Sequence, residues 1–112
     1  MKLVNRRNGA VLADKLEKAD KVFARLRGLL GRDSLDGGLV IEPCTSIHTW
    51  FMKFTIDAAF LSADHRVIRA ISALKPWRAT RVYPSAAMVV ELPEGTLART
   101  GTAEGDLLAF EL

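Results

Sequence analysis

Apolar and polar positions change their period along the chain, and the changes mark its elements. Leu3-Val4 and Val11-Leu12 flank Asn8-Gly9, whose residues both tolerate positive φ, so a hairpin is predicted there. Its second strand is expected from Ala10 to about Glu17, with apolar residues alternating. Asp20 then reads as a helix N-cap. Val22, Phe23, Leu26, Leu29 and Leu30 follow at helical spacing, and Gly31 suits the stop. Beyond Asp36-Gly37-Gly38 the pattern becomes short apolar runs broken by Gly, Pro and Asp. Strands are predicted at 39–41, 56–61, 66–74, 81–83, 87–92 and 107–111, with an extended 46–53 segment and one helical turn within 95–101. The expected fold is α+β: a mostly antiparallel, barrel-like sheet with one main helix near the N-terminus.

Length changes the picture only by bounding it. The 112 residues fit a single domain, 1–112, able to bury a core without staples. No apolar run of about 18 residues is present, so no membrane span is expected. Met1 to Arg7 lacks the apolar stretch of a secretory signal, which makes a cytoplasmic location the expectation. Net charge is +3, from 16 basic and 13 acidic residues, which permits an anionic partner without demanding one. The single cysteine, Cys44, excludes an internal disulfide and a multi-thiolate zinc site.

The most distinctive stretch runs from Cys44 to Met52. Read as a regular strand, it places Cys44, Ser46, His48, Trp50 and Met52 on one side and Ile47, Thr49 and Phe51 on the core side. Cys, His and Met together suggest copper. In a strand, however, residues i and i+4 lie about 13 Å apart, whereas two ligands of one metal sit within about 4 Å of each other. No metal and no cofactor are therefore expected. Ser46, His48 and Asp57 superficially resemble a hydrolase triad, but no Gly-x-Ser-x-Gly elbow is present. Asp57 at a strand start serves either to order a turn or to orient His48.

Lys75, Trp77, Arg78, Arg81 and Tyr83 interleave cations with rings, the chemistry of phosphate contact plus stacking, but three charges make a weak nucleic-acid signal. Glu91, within Met88-Val89-Val90-Glu91-Leu92, needs solvent or a partner, with Arg25 or Arg78 as candidates.

Several blocks, in order, resemble the prokaryotic family called domain of unknown function 192, or UPF0127. They are Arg27-Gly28-Leu29-Leu30-Gly31-Arg32, Gly37-Gly38-Leu39, Pro43-Cys44, Ser46-Ile47-His48-Thr49, Phe51-Met52 and Ile56-Asp57. Pro76-Trp77-Arg78, Glu91-Leu92-Pro93 with Gly95, and Gly105-Asp106 follow. One departure is Thr55, where members commonly have proline. The resemblance implies a mostly β fold and no activity, and it directs attention to Ser46, His48, Asp57, Trp77, Arg78 and Glu91.

The leading expectation is a module binding a small polar ligand (a sugar, a polyol or a small anion) through Ser46, His48, Trp50, Asp57, Trp77, Arg78 and Glu91. The alternatives are a hydrolase or transferase using His48 and Asp57, and a weak single-stranded nucleic-acid binder at 75–83. Oligomeric state is not readable from the sequence.

Overall fold

A computed structural model describes residues 1–19 and 35–112. The strands are β1 (Lys2–Asn5), β2 (Val11–Ala13), β3 (Leu16–Ala19), β4 (Gly38–Ile41), β5 (Ile56–Leu61), β6 (Val67–Leu74), β7 (Met88–Pro93) and β8 (Leu108–Glu111). A five-residue helix, α1 (Thr96–Thr100), lies between β7 and β8. Two sheets form, one of order β2-β1-β8 and one of order β3-β4-β7-β5-β6. The α+β, barrel-like expectation is thereby corrected. Among the described residues the sheets do not close into a barrel, and the helix is short and near the C-terminus. The helix expected from Asp20 through Leu30 lies outside the described residues.

The inner strands β4, β5 and β7 are buried on both faces, which explains their largely apolar sequences. From β7, Met88, Val90 and Leu92 enter one cluster, shared with Leu3 and Leu12 of the small sheet, while Val89 enters the other. On β5, Ala59 and Leu61 point to the first cluster and Ile56, Ala58 and Phe60 to the second. The second cluster is completed by Cys44, Ile47 and Met52, so the 44–52 segment covers that face of the sheet.

The predicted hairpin is present, with Val4 opposite Val11 and Gly9 at φ 74°. Its turn is wider than the Asn-Gly pair: the Gly9 amide donates to Asn5 O, and the Asn5 amide to Ala10 O. The single strand expected over 10–17 is two strands instead. The chain bends at Asp14 and Lys15, leaving β2 against β1 and carrying β3 into parallel pairing with β4. Gly37 is required at this crossing, since a Cβ there would lie 2.3 Å from Lys15 O. Residues 81–83, expected as a strand, are irregular.

Candidate functional site

The 44–52 segment is irregular, with an isolated antiparallel bridge between His48 and Ala79. Tyr83 N donates to Thr45 O, Thr80 N to Ile47 O, and Thr49 N to Arg78 O, so residues 45–49 run against 78–83. Thr49 is the clamp, and it is wholly buried. Its hydroxyl donates to Lys75 O at 2.6 Å and accepts the Arg78 amide at 2.9 Å. Its carbonyl accepts the amides of Trp77 at 3.0 Å and Met52 at 3.2 Å. A single buried side chain thus ties the 49–52 turn to the 75–78 loop.

The alternation predicted for this segment holds from Ser46 to Trp50. Ile47 and Thr49 are buried, Ser46 is half-buried, and His48 and Trp50 are exposed. It fails at both ends. Cys44 and Met52, expected beside His48, are buried in the second cluster, and Cys44 Sγ lies 3.0 Å from Ser46 O. Phe51, expected in the core, is 66% exposed. The reason is a left-handed backbone at Phe51, φ 67°, which reverses the side-chain sequence there.

The outcome is two pairs of exposed rings, on the two segments that run against each other. Trp50 is 49% and Trp77 56% exposed. The rings of His48 and Trp50 lie 4.9 Å apart, and those of Phe51 and Trp77 4.7 Å. His48 Nδ1 accepts a long bond, 3.4 Å, from the Trp50 amide, which leaves the ring's other nitrogen outside this contact. Trp77 shares the left-handed conformation, at φ 64°. Arg78 is exposed, and its guanidinium donates to Trp77 O at 3.3 Å.

Ser46, His48, Trp50, Trp77 and Arg78 therefore lie on two segments that pair with each other. Asp57 and Glu91 sit elsewhere, in the central sheet. Asp57 is fully buried, and its two oxygens accept the Ala73 amide of β6 and the Leu97 amide of α1, each at 2.9 Å. Those bonds make it a strap between β6 and α1. Glu91 is buried in β7, opposite Leu39 and Ala58.

Sequence reasoning missed two features. Phe51 was assigned to the core, since nothing in a Trp-Phe-Met run announces a left-handed residue. A cleft bordered by Arg69, Arg81 and Tyr83 draws on residues far apart in sequence.

The profile of the family described as "Uncharacterized ACR, COG1430", DUF192, matches residues 3–110. A UPF0127 protein of Thermococcus sibiricus is 30% identical over 116 residues, spanning 98% of this chain and 75% of its own length. A UPF0127 protein of Pyrococcus furiosus is 28% identical over 113 residues, spanning 96% of this chain and 97% of its own. A crystal structure of a protein of unknown function from Novosphingobium aromaticivorans superposes with a TM-score of 0.81 at 20% identity, covering 97% of this chain and 82% of that one. A crystal structure described as that of "a putative transcription regulator" from Sinorhizobium meliloti gives 0.79 at 23%, covering 96% and 89%. At these identities the two structures show a shared fold. Among the described residues no helix is long and apolar enough to cross a membrane.

Proposed function

The chain belongs to the DUF192 family, described as uncharacterized, and from that premise we propose that it is a binding module receiving a small polar ring ligand, a sugar or polyol, on the aromatic face around His48. The observation that carries this reading is the backbone of Phe51 and Trp77. Both adopt left-handed conformations, which cost an L-residue about 1–2 kcal/mol each relative to glycine. Both side chains are more than half exposed, so core packing does not offset that cost. Strained backbone clusters at functional sites, and here it turns both rings toward solvent. The rings offer flat apolar faces, while His48 and Arg78 supply donors for hydroxyl groups, the mixture of many apolar and few polar contacts that small-ligand sites use.

The test uses the protein's own fluorophores. Trp50 and Trp77 are its two tryptophans, and both lie on this face. Titration with soluble oligosaccharides is expected to shift tryptophan emission saturably, and Trp77→Ala to abolish the response. Emission that stays unchanged across neutral and acidic oligosaccharides overturns the reading.

A second reading, single-stranded nucleic acid, is favoured by the exposure of Lys75, Arg78 and Arg81 around Trp77. With three phosphate contacts its affinity would fall with salt at a log–log slope of about −2, whereas binding of a neutral sugar is insensitive to salt. The hydrolase reading gains no support, because Asp57 is engaged by two backbone amides and is not presented to His48.

A further inference from the structure

The 79–83 segment borders a concavity distinct from the aromatic face. A cleft of about 470 Å³ opens between this segment and β6. That volume falls within the range of small-molecule sites. Its apolar lining is Ile71, Leu74 and Ala79, and its polar lining is Arg69, Thr80, Arg81 and Tyr83. The lining carries two guanidinium groups and no carboxylate.

These groups differ in how far they are already occupied. Thr80 Oγ1 accepts the Ile47 amide at 3.0 Å and donates to Arg81 O at 2.9 Å, which fixes the backbone of the cleft wall. The Tyr83 ring is held against Phe60, with centroids 4.7 Å apart, and its amide is bonded to Thr45 O at 2.8 Å. Arg69 faces Glu104 at 3.7 Å with both side chains about half exposed, a contact that solvent renders weak. Among the described residues, neither the Arg81 guanidinium nor the Tyr83 hydroxyl has a hydrogen-bond or ion-pair partner. Two cations and a phenol, on positioned backbone beside an aliphatic floor, are complementary to an anionic head on a compact apolar body.

We infer that this cleft is a binding site for a small organic anion, a carboxylate or phosphate ester whose apolar part rests on Ile71 and Leu74. It stands independently of the sugar-binding reading, because none of the rings Trp50, Phe51 and Trp77 lines it.

Three probes sharing one ring test it: benzoate, phenyl phosphate and benzyl alcohol, each titrated into the full chain and followed by amide NMR. Saturable shifts are expected at Arg69, Ile71, Thr80, Arg81 and Tyr83 with an anionic probe, and none with the neutral alcohol. The Trp50 and Trp77 indole resonances are expected to stay in place, which separates this site from the aromatic face. If benzoate binds more tightly, the head is a carboxylate; if phenyl phosphate does, it is a phosphate. Arg81→Gln and Arg69→Gln, both surface changes, should each weaken binding about tenfold, the loss of one charge-assisted contact. Arg78→Gln, outside the lining, should leave it unchanged. Equal shifts with the alcohol, no shifts with either anion, or an equal loss in Arg78→Gln would each overturn the inference.

Discussion

Thr49→Val removes one hydroxyl from a buried position while keeping the side chain's shape. It deletes the 2.6 Å bond to Lys75 O and the 2.9 Å bond from the Arg78 amide. A net hydrogen bond contributes about 1 kcal/mol, so the pair amounts to about 2 kcal/mol. Lys75 and Arg78 are exposed residues, so rehydration of the freed loop groups is expected to keep the loss from rising further. A chain of 112 residues has an unfolding entropy of roughly 0.24 kcal/mol/K. The melting temperature should therefore fall by about 8 °C. Thr49→Ser keeps the hydroxyl and should lose about half as much or less, chiefly from its missing methyl group. Differential scanning calorimetry measures both. Near-ultraviolet circular dichroism at 20 °C should weaken in Thr49→Val alone, as the rings of Trp50 and Trp77 lose their fixed setting. A Tm within about 2 °C of wild type, with an unchanged aromatic spectrum, would refute the claim that Thr49 clamps the two loops.

Three further outcomes follow from the same geometry. Phe51→Gly relieves a left-handed backbone but loses a ring contact and adds chain entropy, so urea denaturation should show a change under about 1 kcal/mol, while the oligosaccharide response disappears. Asp57→Asn turns one of two buried acceptors into a donor facing a backbone amide, and should cost about 3 kcal/mol in the same assay, with Asp57→Ala no better. Asp106, buried, accepts from Arg7, Asn5 and the Ala103 amide, and the Arg7 contact holds its carboxyl well below the ordinary 3.8. A depressed folded value means its contribution is complete above the unfolded value and is lost as pH falls below it. Wild-type stability should thus decline from about pH 4 downward, and Asp106→Asn should be less stable at pH 7 with a flatter acid limb, as read from urea midpoints between pH 2 and 7.

Much of the central sheet was legible because its inner strands are buried on both faces. Ile56 to Leu61 and Met88 to Pro93 carry long apolar runs closed by turn residues, and the helical turn at Thr96–Thr100 sits between Gly95 and Gly101. The barrel was misjudged because closure depends on which strands meet, and local pattern does not encode that. The same limit split the 10–17 strand: Leu12 and Leu16 look equivalent in sequence, yet they end in sheets with different partners. In the site, period-2 alternation placed His48 and Trp50 outward and Ile47 and Thr49 inward. It broke at Phe51 because a positive φ in an aromatic residue leaves no compositional trace. Asp57 was ambiguous because its partners, Ala73 and Leu97, lie 16 and 40 residues away.

The most direct measurement is saturation-transfer difference NMR with a soluble oligosaccharide on the wild-type chain and on Trp77→Ala. Transfer from the indole rings to the sugar's ring protons, lost in the variant while its Tm stays put, is the predicted result. No transfer to any sugar, or transfer that survives without the Trp77 ring, would contradict a binding role for the exposed aromatic surface.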